Sequence, residues 1–429
     1  MSHSDVSRIA ATLEEALSQG EIDELGRATG QSQRFRVITP FRLLVTLLGG
    51  LGDGTCETIA DLCREFNYTF GTTTAYKAFY NRLARPSFAE FTREVVSRLL
   101  TQLTIKVLEP QTASPLARFT DIVIHDGTSF AVKKSLCAVF PGRFETTEPA
   151  AVELHATLSG FSDEVMEVSL SPDTTQERAF LPPAKSLQGK LLLADRGYPS
   201  REYFTQLDAA GASYLMRLSR GFMPYVLAVH DGKGVTDLRN PKKLPEVLAQ
   251  SVGELDLDIE MRKGKKVAYR CRLVVLRGKE SSGTRLCTNL PREDFPLPLV
   301  ARLYRLRWQV ELLFKEWKSY ASLHKFDTGN KHIAEGLIWA SLAAGVLKRF
   351  LAHATQRARN CAISTRKVAM CARLFLRSLL AALTAPRGFR TQIARLMDFF
   401  AHDACRADLR RDRRRGRTSA GLSILGLAK

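Results

Sequence analysis

Four side chains in the stretch YRLRWQVELLFKEWK (304–318) have types and spacing that could do chemistry: Tyr304, Arg307, Glu311 and Lys318, at offsets of three, four and seven. At about 100° per residue they fall within roughly 60° of arc on an α-helix, so all four project from one face. That face sets one carboxylate among two cations and a phenol. Val310, Leu313, Phe314 and Trp317 lie elsewhere and supply the apolar contact. A carboxylate among cations suits a phosphodiester held near a divalent metal. Simple ion pairing along the helix is the structural alternative, worth about 0.2–0.5 kcal/mol per pair.

One Glu cannot hold two hard cations, which take oxygen ligands from separate elements, and in-line phosphoryl displacement usually uses two metals roughly 4 Å apart. Two upstream segments supply the others. DIVIHDGTSF (121–130) is a β-branched run reaching Asp126-Gly127, and LLLADRGY (191–198) is an apolar run reaching Asp195-Arg196-Gly197. Each has the pattern of a buried strand with an Asp at its C-terminal end, the place where open α/β sheets carry their ligand sites. His125, one residue before Asp126, points to the opposite face of an alternating strand and reads as a core histidine.

Asp126 in D-G-T, Asp195 in D-R-G-Y and Tyr304-x2-Arg307-x3-Glu311-x6-Lys318 together resemble the DDE triad and Tyr-Arg-Glu-Lys signature of the insertion-sequence transposases of family four. The resemblance covers about residues 116–330 well, the N-terminal region loosely, and the last hundred residues only by composition. It implies a DNA transposase performing metal-dependent strand cleavage and strand transfer. Asp126, Asp195 and Glu311 would hold Mg²⁺, with Mn²⁺ as a substitute, and Tyr304, Arg307, Lys318 and Arg196 would lie against DNA. The partners implied are the double-stranded element ends and target DNA, with a homodimer on the DNA. Family members that cut through a DNA hairpin stack an aromatic of the insertion domain on a flipped base. The corresponding segment here, GTRLCTNLP (283–291), has none, so either Tyr269 or Phe295 serves or the second-strand chemistry differs. A nuclease of the same fold without strand transfer, or a DNA-binding protein descended from a transposase, are the competing functions.

The elements that must position these residues follow from periodicity. Residues 1–115 read as helical, and TIADLCREF and TTTAYKAFYNRLA (58–84) have helix-turn-helix spacing. The second helix would offer Thr74, Tyr76, Lys77, Tyr80, Asn81 and Arg82 to DNA; a plain helical hairpin accounts for the pattern equally well. From about 118 the period becomes strand-like. Three strands, a helix around 176–187, a strand, a helix and a strand give the β-β-β-α-β-α-β order of a ribonuclease-H-like mixed α/β sheet over 116–219. A β-rich insertion follows over 220–299, then the last catalytic helix over 300–330, then a helical basic region over 331–429. Within the insertion, Asp256, Asp258 and Glu260 alternate with apolar residues and read as the solvated face of a hairpin.

Composition bounds the rest. A chain of 429 residues with 45% hydrophobic residues exceeds one usual core. Its eight Cys show no C-x2-C pair and read as reduced thiols. No signal peptide pattern is present, and the apolar stretch 336–347 is too short to span a bilayer, so a cytoplasmic protein, nucleoid-associated when bound to DNA, is expected. Residues 301–429 hold 26 Lys+Arg against 8 Asp+Glu, nearly all of the formal charge of +19. A polyanion contacting that third is the inference, with Arg366, Arg373, Arg377 and the tail RRDRRRGR (410–417) as its cations.

Overall fold

The computed structural model describes residues 3–34, 36–105, 114–231, 234–264, 266–277, 283–320, 327–384 and 388–405. Its centre is one mixed sheet. The strands are β1 (Ile122–Ala131), β2 (Pro141–Phe144), β3 (Glu148–Ser159), β4 (Val165–Pro172), β5 (Leu191–Ala194), β6 (Ser213–Arg217), β7 (Tyr225–Asp231), β8 (Gly234–Lys243), β9 (Leu255–Lys263), β10 (Lys266–Leu276) and β11 (Thr284–Thr288). They run β2-β3-β1-β5-β6-β11-β10-β9-β7-β8, with β4 also paired to β3.

The β3–β4 hairpin lies antiparallel beside β1, while β5 and β6 run parallel to β1 and to each other. An antiparallel meander leading into a parallel pair is the ribonuclease-H-like order, so the fold expected from the sequence is the one observed. Parallel neighbours need a crossover, which the Arg201–Ala209 helix provides between β5 and β6. β5 is buried along its whole length, as a central parallel strand covered on both faces must be.

Alternation assigns the two faces. Ile122, Ile124, Leu191 and Leu193 enter the core shared with the helices Leu297–Tyr304, Trp308–Tyr320 and Lys331–Arg359. Val123, Leu192 and Ala194 enter a second core on the other side. The same period of two carries Asp126 and Asp195 to the helix-covered face and His125 to the opposite one.

Four expectations need correction. The helix read around 176–187 is two short 3₁₀ turns, Glu177–Phe180 and Ala184–Leu187. Pro182 and Pro183 between them cannot donate to a continuing helix. The 304–318 stretch is not one uniform helix either: a 3₁₀ turn, Arg305–Arg307, joins the helices Leu297–Tyr304 and Trp308–Tyr320.

The face of β9 expected to be wet is largely covered: Asp256 and Glu260 are buried and Asp258 is half-buried. β7 covers its edge, and the arginines of β10 and the following loop close over its carboxylates. Arg272, 5% exposed, grips Asp256 through two nitrogens at 2.9 and 2.6 Å. Arg292 bridges Asp256 and Asp258, and Glu260 is buried against Arg262 and Arg270. The strands of 220–299 thus extend the central sheet, β11 pairing with β6.

The last correction concerns charge. Arg377 binds Asp53, Glu65 and Thr55, Arg373 donates to the Asp53 carbonyl, and Arg366 donates to the Tyr320 hydroxyl. These cations tie the C-terminal helices to the rest of the protein. The tail 410–417 lies outside the described residues.

Helices from both ends of the chain pack around Lys331–Arg359, among them Pro40–Gly52 and Pro86–Gln102. The apolar stretch expected as a short buried helix is the middle of this 29-residue one. It is long and apolar enough to cross a membrane by composition, yet its most apolar window is wholly buried in the protein. The two short helices of 58–84 form as Ile59–Phe70 and Tyr76–Leu83. A Thr58–Asp61 capping box starts the first. The turn between them needs Gly71 at φ +59°, and the Asn67 side chain holds both the N–H and the carbonyl of Thr74. Tyr76, Lys77 and Asn81 are exposed, whereas Arg82 donates to the Gln31 carbonyl.

Candidate active site

Three carboxylates 69 and 116 residues apart in sequence line one cleft. Asp126 is the fifth of the ten residues of β1, within the strand rather than at the end expected from the sequence because the strand pairs with β3 out to Ala131, and Asp195 follows β5 directly. Glu311 lies in the first turn of the Trp308–Tyr320 helix. Val310, Leu313, Phe314 and Trp317 are buried and seat that helix on the sheet, as its apolar spacing requires. The cleft measures about 550 Å³ and is completed by Gly127, Thr128, Arg307, Phe314, Lys315, Lys318 and Ser319.

Arg307 links two of the three. One guanidinium nitrogen donates to Asp126 at 2.6 Å and another to Glu311. Because a 3₁₀ turn eclipses residues three apart, Tyr304 sits directly before it, with the guanidinium 5.7 Å from its ring centre. The Tyr304 hydroxyl donates to Asp195 at 3.0 Å. Lys318 reaches across to the Ser129 carbonyl at 2.7 Å, tying the helix to β1. Arg196 is exposed after Asp195.

Electrostatics follow from burial. Burial pushes the Asp126 carboxyl up to about 7, and Asp195 and Glu311 add to the rise, while Arg307 and the Gly127 N–H pull it back. Burial opposes the charge on Arg307, but Tyr304 and the three carboxylates hold it above its ordinary value. The Tyr304 hydroxyl is raised by burial and by Asp195, and burial lowers Lys318. His125 is buried against Thr157 and driven down to about 3 by burial and His155, an uncharged core residue as its register implies.

The sequence reading missed Lys315 and Arg217. Lys315 follows Glu311 by one helical turn, so the same spacing rule that found Lys318 would have found it. Arg217 ends β6 and brings a nitrogen within 3.9 Å of Asp195; only the sheet order reveals that. Neither aromatic weighed for base stacking is free. Phe295 is fully buried, and Tyr269 bonds Asp208 and Tyr214 through its hydroxyl. The Trp308 ring, 51% exposed, stands one residue from Arg307.

A ribonuclease-H-like sheet with carboxylates on two central strands, under a helix bearing a third and several cations, defines a phosphoryl-transferring nuclease or transferase. Residues 117–347 match the family described as transposase DDE domain, and this chain belongs to it: it is a DDE transposase. It is similar to the transposase for insertion sequence element IS231E of Bacillus thuringiensis subsp. finitimus, 22% identical over 79% of this chain and 78% of that protein. The transposase of element IS1151 of Clostridium perfringens is 22% identical over 74% of each chain. A putative transposase InsL for element IS186A of Escherichia coli K12 is 40% identical, but over 14% of this chain and 17% of its own. A looser likeness, TM-score 0.47 at 11% identity over 90% of this chain and 85% of the other, joins it to a piggyBac transposase solved in a synaptic complex with hairpin DNA.

Divalent-metal dependence comes with the family. The donors here suit such an ion in type: the cleft is lined by carboxylate oxygens, with no thiol or imidazole, the set that hard cations prefer. A buried carboxyl pushed up to about 7 is also one that added positive charge would ionise. In the arrangement shown, Arg307 engages Asp126 and Glu311. Among the described residues no three His, Cys, Asp or Glu side chains meet on one point.

Proposed function

We propose that this transposase cleaves the strands at the ends of its insertion sequence and joins them to target DNA at Asp126, Asp195 and Glu311, with Mg²⁺ as the working cation and Mn²⁺ as a substitute. The observation carrying this reading is that two aspartates of neighbouring strands and a helical glutamate line one cleft with a cationic rim. A divalent cation bound by these carboxylates would polarise the scissile phosphate and acidify the attacking water or 3′-hydroxyl.

The chain's own groups account for the remainder. Tyr304 orients Asp195 through its hydroxyl. Lys315, on the exposed rim, and Arg196 take phosphates of the DNA. Arg307 and Lys318 supply positive charge where the strand passes the carboxylates. The exposed Tyr76, Lys77 and Asn81 offer base-edge readout of the end sequence. Cutting both ends of an element in concert needs two such centres, so the working form on DNA is a homodimer.

The test is a strand-cleavage assay on oligonucleotides carrying the inverted repeats that flank the gene. Asp126→Asn, Asp195→Asn and Glu311→Gln should each abolish cleavage while end binding survives. Near-normal cleavage by any one of them removes that residue from the centre, and full cleavage in excess EDTA removes the metal.

A further inference from the structure

Behind the two aspartates, on the sheet face opposite the Trp308–Tyr320 helix, lies a second polar cluster that the proposed chemistry does not use. Arg143 of β2 is its hub. One of its guanidinium nitrogens lies 3.7 Å from Glu153 of β3, 3.5 Å from Asp173 and 3.8 Å from Glu177. Its backbone N–H donates to Asp173 at 3.0 Å, and its guanidinium donates to the Asp173 carbonyl at 3.2 Å. Glu153 and Asp173 are buried, yet one oxygen of each has no hydrogen-bond partner. Buried carboxylates this close repel one another, and Arg143 is what allows them to share the space.

The cluster touches the backbone beside both aspartates, each time through a missing side chain. At Gly127, next to Asp126, a Cβ would stand 3.1 Å from a Glu153 oxygen, 3.1 Å from His155 Nδ1 and 3.2 Å from the Tyr198 hydroxyl. At Gly197, two residues after Asp195, a Cβ would stand 1.8 Å from a Glu177 oxygen. Arg178 donates to the Gly197 carbonyl at 3.2 Å, and the Tyr198 ring packs edge-on against His125 at 5.0 Å.

We propose that Arg143, Glu153, Asp173 and Glu177 form a positioning unit that locks the Asp126-Gly127 stretch of β1 to the Asp195-Gly197 turn and so fixes the separation of the two aspartate carboxylates. The unit explains why both positions carry glycine, since a methyl at Gly197 would displace the Glu177 carboxylate and one at Gly127 would crowd Glu153. It rests on the reading that Asp126 and Asp195 hold the metal.

The test uses the full-length protein and two readouts: Mn²⁺ binding without DNA, followed by electron paramagnetic resonance, and the Mn²⁺ concentration for half-maximal cleavage. Arg143→Met and Gly197→Ala should each weaken Mn²⁺ binding at least fivefold and raise the half-saturating concentration about tenfold. DNA-end affinity should stay within twofold. Arg143→Lys should restore part of the loss, because a cation remains among the three carboxylates. Where Arg143→Met does not fold, Glu177→Gln with Gly197→Ala decides, since both leave the hub in place. Wild-type Mn²⁺ binding in Gly197→Ala and Glu177→Gln would overturn the inference while leaving the three-carboxylate centre intact. Normal cleavage by Asp126→Asn would overturn the underlying reading as well.

Discussion

At the scale of single residues, the site is governed by what burial does to charge. Asp126 tolerates its position because Arg307 stands 2.6 Å away, so Arg307 couples the strand to the helix as well as facing the cleft. His155 shows the same physics with a more distant partner, the Glu153 carboxylate 3.8 Å away. It is 1% exposed, stacked 3.9 Å from the Phe180 ring, and pushed down to about 4 by burial. A histidine depressed in the folded state contributes stability that is fully present above its unfolded value near 6.5 and is lost as pH falls from there toward 4. Glu153, raised to about 7 by burial and by Glu177, works in the opposite sense over an overlapping window, so the wild-type profile is partly cancelled. The His155→Gln variant isolates the histidine. Between pH 7.5 and 5 it should lose less unfolding free energy than wild type by up to about 2 kcal/mol. Urea midpoints at the two pH values measure this, and equal losses would mean that His155 is protonated in the fold.

At the scale of elements, β9 and β10 show how a strand that alternates charged and apolar residues can be buried on both sides. The apolar face, Leu255, Leu257, Ile259 and Met261, joins the second core. The acidic face is closed by arginines from β10 and the loop after β11, with Arg272 also donating to the Leu290 and Phe295 carbonyls. Removing one partner of a buried pair strands the other charge, at a cost of about 3–5 kcal/mol, whereas apolar replacement of both is far milder. Asp256→Leu should therefore lower the denaturant midpoint sharply, and Asp256→Leu with Arg272→Met should recover much of the loss. A double variant as unstable as the single one would show that the Arg272 bonds to the two carbonyls matter more than its ion pair.

At the scale of the whole molecule, charge is divided between holding the fold and meeting DNA. The final third carries +18, yet Arg377, Arg373 and Arg366 are engaged within the protein. Lys348 is buried with its ammonium on the Gly52 and Tyr320 carbonyls. Lys315 stands exposed on the cleft rim, and further arginines follow Cys405 in the sequence. Each neutralised phosphate contributes a slope of about −0.9 in log K against log salt. Ending the chain after Cys405 removes seven arginines, from Arg406 to Arg417. It should flatten that slope by about 2 or more, leaving the preference for the end sequence unchanged. An unaltered slope would assign the phosphate contacts to the rim alone.

What the sequence determined by itself was local and periodic. Period-two burial in DIVIHD and LLLAD placed two carboxylates on one face, Asp195 at its strand end as expected and Asp126 within a strand that runs on to Ala131. Period-3.6 spacing in 304–318 placed Glu311 and Lys318 two turns apart on another element, and Lys315 was open to the same rule. The tertiary structure alone decided how these meet. Arg307 finds Asp126 across 181 residues of chain, Arg217 approaches Asp195 because β6 lies beside β5, and the 220–299 strands join the same sheet through β11. The wet face assigned to β9 failed for the same reason: alternation reports which residues share a face, but what covers that face is fixed by partners distant in sequence. Charge counts carry the same limit. A run of arginines gives a net field, and only packing tells which of them, like Arg377 on Asp53, already have their counter-ions inside the fold.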